Sequence, residues 1–216
     1  MTTVATPPPL LIFAALLLLL PPPPITATHH HLSPNPHPRP EIFTIDCLTF
    51  PSPTASLAAK SFYSWPQRAN RIDHAAGSFE CTRFYNTTSA CTLLFTATQM
   101  YGLFDGGCCL DSPVGTLPPN WGDGSLFVGY SDVLGVNSSH WNSTDPEHTF
   151  DVQALPPFLP TRFGFPHAAQ DLFFNVSTVS YSAIPDSVFA LPSSCLPPLV
   201  KPCQSAQRHW QQRHVT

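Results

Sequence analysis

Basic residues are scarce in this chain, and so are charged residues in general. Lysine and arginine together number 9 against 13 acidic residues in 216 positions, and the formal net charge is -4. A nucleic-acid-binding protein needs a basic surface, so we expect no nucleic acid as a partner. Hydrophobic residues make up 43% and aromatic residues 12% of the chain, which excludes a wholly disordered protein because there is enough apolar surface for a core.

Motifs for catalysis or cofactor binding are also missing. The sequence has no Gly-x-Ser-x-Gly elbow, no phosphate-binding glycine loop ending in lysine, no His-Glu-x-x-His and no Gly-x-Gly-x-x-Gly. Asp105, Asp111 and Asp123 lie near glycines without the oxygen ladder of a calcium loop, and turn chemistry accounts for them. We therefore expect no enzyme, no cofactor and no metal site. A hydrolase whose Ser, His and carboxylate come together in space is an alternative.

No apolar run is long enough to cross a membrane. The longest, residues 10–20, is shorter than the roughly 20 apolar residues of a membrane span. Proline ends the run and Ala27 follows, which is typical of a secretory signal; the alternative is an uncleaved anchor, since no lysine or arginine precedes the run. We expect a signal peptide over 1–27, a Pro- and His-rich linker over 28–40, and an exported mature protein without a membrane span.

Sequons and cysteines indicate the same secretory compartment. Glycosylation sequons lie at Asn86, Asn137, Asn142 and Asn175. The absence of a Cys-x-x-Cys pair argues against structural zinc, so the cysteines predict disulfides and one spare thiol. Cys203 lies beyond the last strand pattern, and we expect it to be the unpaired one. The other six are then paired: Cys47, Cys81, Cys91, Cys108, Cys109 and Cys195.

Short runs of β-branched and aromatic residues, separated by Gly, Pro, Asn and Asp, predict strands. Turn signals about ten residues apart favour antiparallel pairing, because parallel strands need longer crossovers. We expect an all-β domain with few short helices over residues 41–197, followed by a polar tail over 198–216. The predicted strands are 41–50, 57–65, 77–85, 91–98, 125–131, 148–152, 162–165 and 171–181.

Cysteine positions predict two local features. Cys81 and Cys91 flank the sequon at Asn86, which fits a hairpin with a glycosylated tip above a disulfide. Neighbouring side chains in an extended segment point in opposite directions, so Cys108 and Cys109 should reach different partners. The turn residues around this pair place it in a loop.

The aromatic residues exceed what a polar function would need. A sheet that curls can enclose an apolar cavity on one face. Burying an acyl chain of about twelve methylenes would contribute roughly 10 kcal/mol before ordering costs. We therefore expect a secreted domain that binds a hydrophobic small molecule or lipid. The residues predicted to line the cavity are Tyr63, Trp65, Phe84, Phe95, Tyr101, Phe127, Phe165 and Phe174.

The sequence leaves two alternatives for Trp121 and two for the function of the domain. Trp121, in a long Pro- and Gly-rich loop, either anchors that loop or lies at the ligand mouth. The whole domain could instead be an extracellular adhesion or matrix module whose aromatics form only core, with a homodimer as a further candidate partner. A cavity below a few hundred Å³ would favour that alternative, because ligand pockets usually exceed about 300 Å³.

Several short motifs follow one another in a fixed order between Tyr63 and Cys195. They are Tyr63-Ser-Trp65-Pro66, Arg71-Ile72-Asp73, Glu80-Cys81, Cys91-Thr92-Leu93, Cys108-Cys109-Leu110-Asp111, Arg162-Phe163 before Phe165-Pro166, Gln170-Asp171, and Val188-Phe189-x-Leu-Pro-x-x-Cys195. In this order they resemble ependymin-related proteins and their plant and algal relatives. The resemblance implies a secreted, disulfide-linked, glycosylated domain in which an antiparallel sheet bends into a half-barrel around a hydrophobic pocket, similar to bacterial periplasmic lipoprotein carriers. It also implies calcium binding, for which this sequence has no matching motif. The leader and Cys203 have no counterpart.

Overall fold

The computed structural model describes residues 38–203 apart from 53–54, 106, 144–147 and 166–169. The predicted signal peptide, most of the linker and the end of the tail lie outside the described residues. Within them, strands form one sheet, and the all-β prediction is confirmed. The strands are β1 Ile42–Ser52, β2 Ala55–Ser64, β3 Ala69–His74, β4 Cys91–Phe95, β5 Met100–Phe104, β6 Gly107–Ser112, β7 Leu126–Val133, β8 Val136–Asn142, β9 Thr149–Gln153, β10 Pro160–Phe165, β11 Gln170–Ser180 and β12 Lys201–Pro202.

The sheet order is β12-β6-β5-β4-β3-β2-β1-β11-β10-β9-β8-β7. Every neighbouring pair is antiparallel except β12 and β6, which run parallel. One α-helix, α1 (Phe79–Tyr85), and two 3₁₀ turns (Asp186–Phe189 and Ser193–Cys195) complete the regular structure of the described residues. Within these ranges no helix combines the length and the apolar character that a bilayer crossing requires.

The connection between β6 and β7, loop 113–125, requires the sheet to bend. These strands are ten positions apart in the sheet order, which is about 48 Å in a flat sheet with strands about 4.8 Å apart. The second half of the loop is coiled into successive turns between Pro118 and Ser125. At about 2 Å per residue in the turns and about 3.5 Å elsewhere, the loop reaches only about 40 Å. The two ends of the sheet must therefore curve toward each other, although the sheet does not close.

Residues directly opposite each other on paired strands share a face. Following the register across the sheet, one face carries Tyr63 and Phe150 and is called the first face; the other carries Tyr101 and Asp151 and is called the second face. On the first face, Phe43, Ile45 and Tyr63 form a core cluster with at most 2% exposure. On the second face, residues 189–200 cover β4–β6.

The predicted strand over 77–85 is wrong, because Phe79–Tyr85 form helix α1. Ser78 accepts a hydrogen bond from the Cys81 amide as the N-cap, and Asn86 takes the left-handed conformation (φ 53°) that ends the helix. The helix packs on the first face, where the Tyr85 ring lies against Gly102 and would overlap any Cβ there. The predicted hairpin is therefore wrong, but the Cys81–Cys91 disulfide is present and ties α1 to β4.

The other disulfides join Cys108 to Cys195 and Cys109 to Cys203. The two adjacent cysteines do reach different partners, because they lie in strand β6, not in a loop, and point to opposite faces. Three disulfides indicate an oxidising environment.

The expectation that Cys203 is unpaired and Cys47 is bridged is wrong. β12 pairs with β6 and brings Cys203 to a Cα distance of 4.9 Å from Cys109, so part of the predicted tail belongs to the sheet. Cys47 lies in the middle of β1 between Ala59 and Phe174 of the adjacent strands, and its thiol is free and buried. Burial raises the pKa of Cys47 far above its usual value.

All the predicted glycan acceptors are exposed. Asn86 ends α1, and the others lie on strands β8 and β11. Exposure is what glycan attachment requires, and the modification itself stays a prediction. The acceptors are Asn86, Asn137, Asn142 and Asn175.

Candidate functional site

Four aromatic side chains from neighbouring strands line up on the first face. Phe127, Trp141, Phe150 and Phe163 are successive register partners on β7, β8, β9 and β10, and we call them the aromatic ladder. The centroids of Phe127 and Trp141 are 5.1 Å apart, and those of Trp141 and Phe150 are 6.3 Å apart with nearly parallel rings. Such pairs add to the stability that their buried area contributes.

Trp121 of loop 113–125 lies on this ladder. Its ring centroid is 4.2 Å from that of Phe150 and 5.5 Å from that of Phe163. Earlier in the loop, the Thr116 hydroxyl is within hydrogen-bond distance of the carbonyl oxygens of Arg68 and Thr96, both at 3.0 Å. The loop is thus attached near the β2–β3 and β4–β5 turns and again at the ladder. This packing supports the anchor interpretation of Trp121.

A cavity of about 40 Å³ lies beside Trp121. That is close to the volume of one water molecule, about 30 Å³, and far below the roughly 300 Å³ of a typical ligand pocket. Any larger guest must therefore displace side chains. Of the aromatic rings that line the cavity, those of Trp121 and Phe158 lie outside the strands, in loop 113–125 and in the connection between β9 and β10. The cavity lining includes Arg39, Trp121, Phe150, Phe158, Phe163 and Phe174.

A larger cleft of about 320 Å³ opens at the ends of β3, β4 and β5. It is wide open to solvent, and its lining includes the charged residues Arg71, Asp73 and Asp105. Arg71 Nε donates to Asp73 Oδ1 at 2.7 Å within it. This charged, open cleft lacks the enclosed apolar wall that a hydrophobic ligand needs, so we centre the candidate site on the aromatic ladder.

The predicted lining residues divide between the faces. Tyr63, Phe95, Phe127 and Phe174 lie on the first face, and Trp65 packs against its core cluster. Of all these, Phe174 lines the small cavity.

Tyr101 pairs with Leu94 and lies on the second face beneath residues 189–200. It therefore does not share a face with Tyr63, Phe127 and Phe174. The side chains of Phe84 and Phe165 lie outside the described part of the structure.

Arg39, which the sequence interpretation placed in the linker, packs on the first face. Its guanidinium carbon lies 4.1 Å above the centroid of the Tyr63 ring, and its Nη2 donates to the Leu117 carbonyl at 2.7 Å. Its Nε is buried and has no hydrogen-bond partner among the described residues. Burial lowers the pKa of Arg39, but a guanidinium remains protonated at any ordinary pH. Nothing in the proline-rich sequence around Arg39 predicts this position.

A polar network lies behind the ladder, on the second face. Its centre is the fully buried carboxylate of Asp151, which accepts hydrogen bonds from Ser131 Oγ (2.6 Å) and Arg162 Nε (2.7 Å). His140 Nδ1 lies 3.2 Å from the same carboxylate and 3.2 Å from Arg162 Nη2.

This network brings a serine, a histidine and a carboxylate together, but not in the order of a nucleophilic relay. In a relay the serine hydroxyl contacts the histidine, which then contacts the carboxylate. Here Ser131 donates directly to Asp151. Asp171 lies 3.7 Å from Arg162 Nη1, and burial raises the pKa of its carboxyl. Among the residues that the structure describes, no group of three or more His, Cys, Asp or Glu side chains is placed to hold a metal ion.

No family model matches this chain, and no curated protein does. Among solved structures, an uncharacterized conserved protein from Thermus thermophilus is 12% identical with a TM-score of 0.46, over 74% of this chain and 90% of that one. A DUF1329 family protein from Desulfovibrio piger is 8% identical with a TM-score of 0.28, over 69% of this chain and 89% of that one. The resemblance to ependymin-related proteins stays a prediction.

Proposed function

We propose that this chain is a secreted, non-enzymatic protein that binds a hydrophobic small molecule or lipid on the aromatic ladder, beneath loop 113–125. The observation that carries the proposal is how the ladder is covered. Trp141 and Phe150 of the ladder are each 2% exposed, as buried as Phe43 in the core cluster. Their cover, however, is loop 113–125, which takes the place of a second layer, and both Trp121 and Phe163 remain partly exposed.

Binding would exchange one apolar contact for another. Displacing Trp121 loses aromatic contacts of about 0.5–1.5 kcal/mol each beyond area burial. Each methylene buried in its place contributes about 0.8 kcal/mol, so a long alkyl chain outweighs the loss. Loop 113–125 would remain attached at Thr116 while its Trp121 end moves. The disulfides and the exposed sequon asparagines support export.

The test uses mature protein secreted by a eukaryotic host, so that disulfides and glycans are in place. Hexadecan-1-ol and hexadecanoate are titrated separately, with tryptophan fluorescence and native mass spectrometry as readouts. We expect one-to-one uptake of at least one probe. Trp121→Ala should bind several-fold more tightly because no ring has to be displaced, whereas Phe189→Ala, which removes an aromatic from the second face, should bind like the unmodified protein. Uptake of neither probe by any variant overturns the proposal.

A second candidate is an extracellular adhesion or matrix module without a ligand. The cavity of about 40 Å³ favours it, and so does edge strand β7, on which Leu126, Val128 and Tyr130 are exposed. Unpaired strand edges can join two copies of a chain. In that case neither probe binds, and sedimentation shows concentration-dependent self-association that Val128→Lys abolishes.

A further inference from the structure

Arg39 carries a positive charge that the described residues do not neutralise. The ion pairs among these residues involve Lys60, Arg71, His74, His140 and Arg162, and none reaches Arg39. Its Nη2 and its backbone amide donate to the carbonyls of Leu117 and Pro119, and its buried Nε has no partner. Arg39 as a whole is half-buried, and a charge partly withdrawn from water without a counter-ion is unfavourable, because the lost hydration is not replaced.

Arg162, a second arginine beside the same cavity, differs from Arg39 in having acidic partners. Arg162 also lines that cavity, but its Nε bonds Asp151 at 2.7 Å and its Nη1 lies 3.7 Å from Asp171. The charge of Arg162 is therefore balanced within the protein. Arg39 is the cation of the cavity whose counter-ion has to come from elsewhere.

The surroundings of Arg39 suit a small anionic group with an apolar body attached. The Tyr63 ring lies beneath its guanidinium and the Trp121 ring is 5.8 Å away, so cation–π contacts hold the guanidinium plane in place. The cavity of about 40 Å³ is too small for an alkyl chain, so only the head group can enter it, as the side chains around it shift. The aromatic surface of the ladder begins at the same cavity, which Phe150 and Phe163 also line.

On the premise of the proposed function, we infer that the ligand is an anionic amphiphile with a single carboxylate head, bound by the guanidinium of Arg39 while its alkyl chain lies along the aromatic ladder. A planar guanidinium edge pairs with the two oxygens of a carboxylate in a bidentate arrangement. Nε supplies an unused donor for such a pair, beside the Nη2 group that holds the Leu117 carbonyl.

The experiment compares three probes of equal chain length, hexadecanoate, hexadecan-1-ol and hexadecyl phosphate, at pH 7.5 on the secreted protein. A charge-assisted hydrogen bond corresponds to about a tenfold to hundredfold change in affinity, so we expect hexadecanoate to bind that much more tightly than the alcohol. Arg39→Met should lower the affinity for hexadecanoate to that for the alcohol, and the thermal unfolding midpoint measured without a probe reports whether the variant is folded. Arg39→Lys should restore part of the preference.

The matched control is Arg68→Met. Arg68 is an exposed arginine whose guanidinium lies 4.9 Å from the Trp65 ring centroid, so it repeats the cation–π contact away from the cavity. Its replacement should leave the order of the three affinities unchanged.

The outcomes separate the two proposals. Equal affinity of the unmodified protein for acid and alcohol, or a preference that survives Arg39→Met, overturns the role of Arg39 while the proposed function stands. Tighter binding of the phosphate than of the carboxylate overturns the carboxylate assignment. Uptake of none of the probes overturns the proposed function, and this inference with it.

Discussion

The two ends of the sheet are stabilised in different ways. In strands β3–β6, which we call the stapled half, α1 covers the first face and residues 189–200 cover the second. The Cys81–Cys91 and Cys108–Cys195 disulfides tie these two layers to the sheet, and Cys109–Cys203 ties β6 to the end of β12. Strands β7–β10, which we call the aromatic half, have no disulfide among the described residues. There the ladder and Trp121 lie on the first face, and the charges around Asp151 lie on the second.

This difference indicates which part of the sheet can accept a ligand. In the stapled half, disulfides hold the covering layers on the sheet even where noncovalent contacts are lost. In the aromatic half the covering element is a loop, and its contacts are noncovalent and apolar, so an apolar ligand can replace them. Ligand-binding loops generally belong to the less stable parts of a fold. The two halves should therefore lose stability by different amounts when disulfides or buried charges are removed.

The largest effect is expected from the two long-range disulfides. They connect residues 87 and 94 positions apart, and in the chain-entropy model one such closed loop stabilises the fold by about 4 to 5 kcal/mol. Once either bridge is closed, the other closes a remaining loop of only about ten residues, worth about 3 kcal/mol. Removing either bridge by paired Cys→Ala substitution should therefore lower the free energy of unfolding by about 3 kcal/mol, and removing both by about 7 kcal/mol.

Urea unfolding followed by tryptophan fluorescence measures these values, with Cys47→Ala as the control because that thiol is unbridged. Hydrogen exchange then locates the effect. Loss of one bridge should reduce amide protection mainly in β4–β6. Equal loss of protection in β8–β10 would show that the halves are one unit, and the comparison between them would fail.

The next largest effect is expected from Arg162 in the aromatic half. Arg162→Met leaves the carboxylate of Asp151, which is 0% exposed, without its cationic partner. Removing one partner of a buried pair costs about 3 to 5 kcal/mol, because the remaining charge is buried unpaired.

The stapled half offers a matched control. Arg71 and Asp73 form a pair with the same 2.7 Å distance, but their side chains are 30% and 37% exposed. Arg71→Met should therefore cost less than about 1 kcal/mol. Thermal unfolding of both variants measures the difference. Equal losses would mean that burial does not decide the strength of these pairs.

The parts of the fold that could be predicted are those with local signals. Strands β1 and β11 are long enough for their apolar alternation to be read from sequence, and the opposed side chains of Cys108 and Cys109 follow from strand geometry alone. Helix α1 is too short to show a helical period, although Ser78 and Glu80 supply N-terminal signals. Strand β8 contains Asn, Ser and His, and polar residues of this kind obscure its inward-facing Trp141.

The parts that could not be predicted depend on distant contacts. Cys203 finds Cys109 through the parallel pairing of β12 with β6, and Arg39 contacts Leu117, 78 positions away. Alternation within β5 separates Tyr101 from its neighbours but does not say which of the two sets of side chains faces the rest of the predicted lining residues. The composition predicts an aromatic surface. Which aromatic side chains contact each other depends on the strand order, which places β7 ten positions from β6 in the sheet.

The smallest effect is a pH dependence within the stapled half, and it concerns His74. This side chain is 2% exposed, its Nδ1 lies 3.6 Å from Glu80 Oε2, and neither ring nitrogen has a hydrogen-bond partner among the described residues. Burial lowers the pKa of His74, while the charges of Glu80 and Asp73 partly oppose that shift. The folded protein therefore binds fewer protons here than the unfolded chain does, below the ordinary histidine pKa of about 6.5.

Stability from this group is complete above about pH 6.5 and is lost as the pH falls toward the lowered value, with a slope of at most about 1.4 kcal/mol per pH unit for one proton. Unfolding free energies between pH 7.5 and 5 should thus decline less for His74→Gln than for the unmodified protein. Glu80→Gln removes the opposing charge, so its decline should extend to lower pH. An unchanged slope in His74→Gln would show that the acid sensitivity arises elsewhere. The buried pair of His74 and Glu80 would then make no contribution to the pH dependence of stability in the stapled half.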